Sequence, residues 1–157
     1  MASELRVDKI IPTTGVPTGG GGGIIQVVQD TSSTESTTTS TSYQLTGLSV
    51  NITPKFNTSK LLVLFNIPLQ TNANIRVGVG LYRGSNEVYL ANKEAVFGGS
   101  NVSNATETVS GMFLDSPGTT SAVTYTVRVR RTSTSSGNFW WSVSQCTCTL
   151  TAMEVSA

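Results

Sequence analysis

The chain has 157 residues, a formal net charge of +1 and only 12% charged residues. This length suits one domain, and a small net charge without a sustained basic run argues against nucleic acid as a partner. No apolar stretch approaches the roughly 20 residues of a membrane span, and charged residues occupy the place of a signal peptide's apolar core. We therefore expect synthesis in a cytoplasm and no membrane insertion.

An arm, residues 1–17, opens the chain, and a glycine-rich linker at 18–23 separates it from the rest. Consecutive glycines have no preferred backbone conformation and no side chain to pack, so the arm is predicted to be a separate structural unit. Apolar residues alternate with charged ones around Leu5 and Val7, which predicts a half-buried strand. Such a short strand needs an apolar surface from the body, another copy or a partner. The predicted docking residues are Leu5, Val7, Ile10 and Ile11.

Ser and Thr supply 44 residues and, with the many valines and isoleucines, they favour pleated sheet over helix. In the body, residues 24–157, the first predicted strand is Ile24–Gln29. The Ser/Thr tract that follows, Thr31–Ser42, fits either a long surface loop or a threonine-rich edge strand. The most apolar run, Lys60–Leu69, predicts a central strand covered on both faces.

The next segment, Ile75–Tyr82, alternates apolar residues with others and leads into a turn, which predicts a hairpin. Gly78 and Gly80 lie on the face opposite the valines, where missing side chains allow close approach of a backbone or an aromatic ring. Further along, Arg128 and Arg130 share one face of a predicted strand. We interpret that face as solvated.

Two pairs near the end of the chain are informative. Trp140 and Trp141 are adjacent in a predicted strand, so one points into the core and the other outward, where it can stack on a sugar ring or a neighbouring subunit.

Cys146 and Cys148 are two residues apart, which predicts that both thiols share one face. We expect both to be buried as small hydrophobic residues, without a disulfide.

Short predicted strands follow one another with turns about every 8 to 12 residues, the pattern of a sandwich or jelly roll. The predicted fold class is all-β: an antiparallel β-sandwich or jelly roll with an extended N-terminal arm. The chain has no histidine, and its acidic residues are scattered among the predicted elements. We therefore expect no enzymatic activity, no catalytic residue, no cofactor and no metal site.

Two parts of the chain, the opening Ser3–Ile10 and a set of short motifs in the body, resemble virion structural proteins of tailed bacteriophages. The opening Ser3–Ile10, with the proline and glycine-rich linker after it, is similar to the N-terminal segment of tail-fibre and related proteins, particularly in phages of marine cyanobacteria. The body is similar to the small trimeric jelly-roll-like domains found at fibre tips. The motifs that carry this second resemblance are Ile52–Pro54, Ser59–Val63, Leu81–Gly84, Leu114–Pro117 and Tyr125–Val127.

The resemblance implies a homotrimeric virion protein without enzymatic activity, assembled in the host cytoplasm. Its arm would dock on other virion proteins, and its body would form a short fibre, spike or tip module with a host-surface glycan as a further partner. Because the long shaft of a fibre is missing, a capsid decoration protein and a baseplate or collar component are alternatives. A carbohydrate-binding module is the alternative from another class, and it would show exposed aromatic residues grouped in one groove.

A thin sandwich with a glycine-interrupted strand has more apolar surface than one small core needs, and closed symmetry is the usual way to bury the surplus. We therefore expect apolar residues of the most hydrophobic strands to line a threefold seam between subunits. The predicted seam residues are Phe65, Val77, Val79, Trp140 and Trp141.

Overall fold

The computed structural model describes residues 23–71, 75–97, 105–132 and 137–156, without the side chains at 91–97 and 105. The predicted arm and its docking residues therefore lie outside the described residues. The strands are β1 (Ile24–Ser32), β2 (Ser36–Thr38), β3 (Gln44–Ile52), β4 (Lys60–Thr71), β5 (Ile75–Arg83), β6 (Asn86–Phe97), β7 (Ala105–Asp115), β8 (Val123–Arg131), β9 (Phe139–Trp141) and β10 (Cys148–Val155).

The strands form two antiparallel sheets that pack face to face. Sheet A has the order β1, β10, β4, β7, and β2 and β9 extend the lines of β1 and β10. Sheet B has the order β3, β8, β5, β6. Each sheet is thus four strands wide, and the chain passes repeatedly from one sheet to the other, which is the jelly-roll arrangement. The predicted β-sandwich is confirmed.

The Ser/Thr tract is partly strand and partly loop. β1 continues to Ser32, and the three residues of β2 pair with β9. The remainder of the tract connects these strands to β3. Neither of the two alternatives left open by its composition describes the whole tract.

The core lies between the sheets and follows the two-residue period of the strands. In β4, Leu61, Val63 and Phe65 are at most 3% exposed and point toward sheet B. Leu62 and Leu64 lie between them in sequence, point to the other side and are only half-buried. The prediction that this strand is covered on both faces is therefore wrong for the described residues, which pack a sheet on one side of sheet A only.

β4 changes its hydrogen-bonded neighbour near Pro68. It pairs with β10 over Lys60–Asn66 and with β9 over Leu69–Thr71. Proline has no N–H to donate, and here it lies between the two ladders, where none is needed. Opposite this gap the chain makes a 3-10 turn, Val143–Gln145, and the Ser142 N–H donates to the Pro68 carbonyl at 3.2 Å.

The same turn immediately precedes the two cysteines. Ser142, Ser144 and Gln145 have φ values of 56°, 52° and 63°, so the alternation of a regular strand is lost before β10 begins. Cys148 is buried, whereas Cys146 is exposed. The prediction that both thiols share one buried face is therefore wrong, because Cys146 lies outside the strand. Burial raises the pKa of the Cys148 thiol.

The first and last described residues lie side by side. Ile24 pairs with Val155 at the end of the β1–β10 ladder. Just beyond this pair, the Ser156 N–H donates to the Gly23 carbonyl at 3.0 Å. The chain therefore enters and leaves the described body at the same place.

Candidate functional site

The side of sheet A that faces away from the core carries rows of apolar side chains. Residues that pair directly across antiparallel strands point to the same side of a sheet. One row crosses all four strands and consists of Val27, Met153, Leu62 and Leu114. The next row contains the pair Leu64 and Met112. We call these six residues the apolar face: Val27, Leu62, Leu64, Met112, Leu114 and Met153.

Much of the apolar face is open to solvent in the single chain. Met112 is 63% exposed, Val27 is 54% exposed and Leu114 is 50% exposed. A groove of about 590 Å³ opens on the same side, and Leu64 and Met112 line part of it. The face is therefore exposed hydrophobic surface with a shallow groove on it, and exposed hydrophobic surface is typical of interaction sites.

Phe65 and Gly111 also border this groove, and they pair directly across β4 and β7. The Phe65 side chain points to the core side of sheet A, where its ring lies over the bare backbone of Gly111. A Cβ atom at Gly111 would overlap the Phe65 ring. From sheet B, Tyr89 stacks on Phe113 with ring centroids 5.6 Å apart. These rings therefore pack on the core side of sheet A, behind the groove.

Charge is almost absent on this side of the sheet. Among the described residues that β1, β4, β7 and β10 direct outward, Lys60 at one end carries the one formal charge. The other polar groups there are uncharged, such as Gln29, Thr151 and Asn66. A strand face that stays exposed to solvent would normally carry charged residues at several of these positions.

The outward side of sheet B is different, because rings and charges cover one another there. The Arg128 guanidinium lies 4.1 Å from the centre of the Tyr82 ring, and the Arg130 guanidinium lies 4.7 Å from that of Tyr43. The two rings meet edge to face, with centroids 5.4 Å apart. The Tyr82 hydroxyl donates to Glu87 at 2.9 Å. We call these residues the Tyr–Arg face: Tyr43, Tyr82, Glu87, Arg128 and Arg130.

A glycine makes room for this cluster. A Cβ atom at Gly80 would lie 3.2 Å from the Tyr82 ring, so the predicted approach of an aromatic ring is confirmed. Burial, followed by the hydrogen bond to Glu87, raises the pKa of Tyr82 to about 12. Arg128 and Arg130 are half-buried on these rings. The prediction of a simple solvated face is therefore wrong for them, because they stack on aromatic neighbours.

A buried carboxylate closes one end of the sandwich. Glu154 is completely buried and accepts hydrogen bonds from Gln26 Nε2 at 2.5 Å and from the Lys55 N–H at 2.7 Å. Burial raises the pKa of this carboxyl, but the donated hydrogen bonds, led by that from Gln26, outweigh burial and lower its pKa below the usual value. The carboxylate therefore ties the connection between β3 and β4 to β10.

A second buried carboxylate lies in the same row. Asp115 accepts from Arg83 Nη1 at 2.8 Å and from the Tyr125 hydroxyl at 2.5 Å, and burial followed by this hydrogen bond raises the pKa of Tyr125. Asp115 and Glu154 both pair with Leu61, so they are two strand spacings apart, about 10 Å. Each carboxylate has its own donors, and this arrangement makes both of them structural anchors.

The residues predicted for a subunit seam lie in different places. Val77 and Val79 are completely buried between the sheets, and Phe65 and Trp141 are 3% and 5% exposed. These four side chains have their packing partners within the chain and little surface left for a neighbour. Trp140 is half-buried and lies on the outward side of sheet A, as expected for one of two adjacent tryptophans. The seam itself stays a prediction.

Other kinds of site have less support in the part of the chain that the structure describes. That part contains no group of three His, Cys, Asp or Glu residues placed to hold a metal ion. It also contains no helix with the length and hydrophobicity to cross a bilayer. One of the large hydrophobic residues exposed in this part of the chain is aromatic: Phe56, whose exposed fraction is 46%. The grouped aromatics of a carbohydrate-binding groove are therefore not seen among the described residues.

No protein-family model matches the chain, and no curated protein matches it. Solved structures of similar shape include the T13 IBDV viral particle, with a TM-score of 0.48 and 11% identity over 92% of this chain and 42% of that one. The VP2 subviral particle of infectious bursal disease virus gives a TM-score of 0.42 and 11% identity over 92% and 43%. The chain thus spans about two fifths of their length. At these values the likeness says nothing about what this chain does.

Proposed function

We propose that this protein is a non-enzymatic structural component of a virus particle. Its body assembles with copies of itself into a homotrimer, and its N-terminal arm attaches the body to other virion proteins. The observation that carries the proposal is the exposed apolar face on a domain whose buried carboxylates have their own hydrogen-bond donors. A large exposed apolar patch on a well-packed domain marks a surface for assembly.

The assignment to a virus particle is supported by the resemblance of the opening segment and the body motifs to tailed-phage structural proteins. The jelly roll is an architecture used by viral structural proteins, although the same fold also serves lectins and cupins. Within the particle we propose a short fibre, spike or tip module. A capsid decoration protein and a baseplate or collar component are the alternatives, and a density map of the intact particle distinguishes them.

The test is deletion of residues 1–17, followed by mass spectrometry of purified particles to count copies. The truncated body should fold and self-associate but fail to join particles, because the arm supplies the docking surface. A matched pair of full-length variants sharpens this result. Replacing Leu5 and Val7 by serine should reduce incorporation, whereas replacing Arg6 and Asp8 by serine should leave it nearly unchanged.

Incorporation of the truncated body at normal copy number would contradict the docking role of the arm. A different result, loss of several kcal/mol of unfolding free energy on deletion, would show that the arm folds back as an edge strand of its own sandwich. Denaturant unfolding of the truncated and complete chains distinguishes this case from docking.

A further inference from the structure

We propose that the apolar face is buried against a neighbouring copy of this chain in the assembled protein. This inference rests on the self-association included in the proposed function and names the surface that mediates it. The sequence placed the seam mainly on side chains that the fold buries within one chain. The structure directs attention to six others, Val27, Leu62, Leu64, Met112, Leu114 and Met153, on the outward side of sheet A.

The first argument is that the exposed apolar residues lie in neighbouring rows of one sheet. Met112, Val27 and Leu114 are each at least half exposed, yet they belong to adjacent rows of one sheet and do not lie singly on the surface. Isolated exposed hydrophobic residues are ordinary, but a continuous group across four strands is the usual mark of an interface. The six residues come from four separate strands, and the pairing of these strands brings them together.

The second argument is charge. A side chain near a rotation axis meets its own symmetry mates, so a charged residue there would face like charges. Among the described outward residues of these strands, Lys60 is charged and lies at the end of the face, while the centre around Leu64 and Met112 is neutral. The face can therefore approach a symmetry axis without repulsion between copies.

The third argument is area. With strands about 4.8 Å apart and a rise of about 3.3 Å per residue, four strands of about ten residues present roughly 19 by 33 Å, or about 600 Å². A similar area on the copy that covers it brings the total to about 1,200 Å², the lower limit of stable specific interfaces. The outward side of sheet A, which includes the apolar face, is therefore large enough for a copy of the chain to bury.

The experiment compares the complete chain with two aspartate variants by sedimentation equilibrium at micromolar concentration. Met112→Asp places a charge in the centre of the apolar face, and it should weaken association at least roughly a hundredfold, because a buried unpaired charge is strongly unfavourable. Leu45→Asp is the matched control: Leu45 is 59% exposed on the outward side of sheet B, beside Arg128. This variant should associate as the wild type does.

Methionine oxidation provides a second measurement on the unmodified protein. Met112 is 63% exposed in the single chain, so dilute peroxide should oxidise it readily if the face is free. If a neighbouring copy covers the face, oxidation of Met112 should be slow in the oligomer and should accelerate on dilution to monomer. Peptide mass spectrometry resolves this site from Met153 and Met1.

Three results would overturn the proposal. A complete chain that stays monomeric with a readily oxidised Met112 would show that nothing covers the face. A monomer with a protected Met112 would show that the chain's own arm covers it. An oligomer that Met112→Asp leaves intact would place the interface elsewhere, while self-association and a structural role in the particle would both stand.

Discussion

The two outward sides of the sandwich differ in how they meet solvent. On sheet B, Arg128 stacks on Tyr82, and the Tyr82 hydroxyl donates to Glu87. These groups cover one another, so Tyr82 is only 8% exposed although it points away from the core. On sheet A, Met112 and Leu114 have no comparable cover from the part of the chain that the structure describes, and they are 63% and 50% exposed. The Tyr–Arg face is stabilised within one chain, whereas the apolar face is suited to contact with another surface.

The difference shows that an outward strand face can be closed by its own side chains. Gly80 favours this closure, because a Cβ atom there would lie 3.2 Å from the Tyr82 ring and press on it. The apolar face has no such interlocking charges, and its leucines and methionines stand side by side in rows. Substitutions on the Tyr–Arg face should therefore act on folding, and those on the apolar face should act on association.

The largest effect is expected from Tyr82→Ala. Removing this buried ring should lower the unfolding free energy by about 3 to 5 kcal/mol, as for other truncations of buried aromatic residues. The loss should not depend on protein concentration. Met112→Ala is the control on the other face, and its effect should be small in dilute solution and grow with concentration, because association stabilises the folded state. Urea unfolding at several protein concentrations measures both, and a concentration-dependent loss in Tyr82→Ala would contradict the distinction.

A smaller effect is expected from Gly80→Val. Its Cβ atom would lie 3.2 Å from the Tyr82 ring, and the ring cannot move freely because Arg128 and Glu87 hold it. Overpacking of this kind should cost about 1 to 3 kcal/mol of unfolding free energy. Ser110→Val adds the same side chain to an exposed position of sheet A and should change stability by less than about 0.5 kcal/mol. Equal losses in both variants would mean that the glycine is not required for the cluster.

The smallest effect concerns alkaline pH. Burial and the hydrogen bond to Glu87 raise the pKa of Tyr82 from 10.0 to about 12, so the folded state keeps this proton when the unfolded state has lost it. Its contribution to stability is complete below pH 10 and is lost as the pH rises from 10 toward about 12. Tyr82→Phe should therefore be less sensitive to alkali than the wild type. Urea unfolding at about pH 8 and about pH 11 tests this, and equal sensitivity of the two proteins would contradict it.

The sequence predicted the sandwich because its strands alternate clearly, as in β3 and β8, where buried residues alternate with more exposed ones. It did not predict the apolar face. Leu62 and Leu64 look like core residues in a continuous apolar run, and Met112 and Leu114 join them only through the pairing of β7 with β4. Such pairing is non-local, and no single segment reveals it.

The cysteine pair and the buried carboxylates illustrate the same limit. The positive φ values near Cys146 break the strand, but the serines and glutamine that adopt them are ordinary strand residues in a Ser-rich chain. Asp115 and Glu154 are distant in sequence, and they lie in one row of the sheet only because both pair with Leu61. A Gly or Pro in the turn at residues 142–147 would have indicated that the strand ends there, and this segment contains neither.

The hydrogen bond between Ser156 and Gly23 has a consequence for modularity. The two ends of the described body, Gly23 and Ser156, thus lie next to each other. Domains whose ends meet in this way tolerate insertion into other chains and circular permutation. The body is thus a portable unit, which can be joined to a different anchor through the glycine linker without disturbing either sheet.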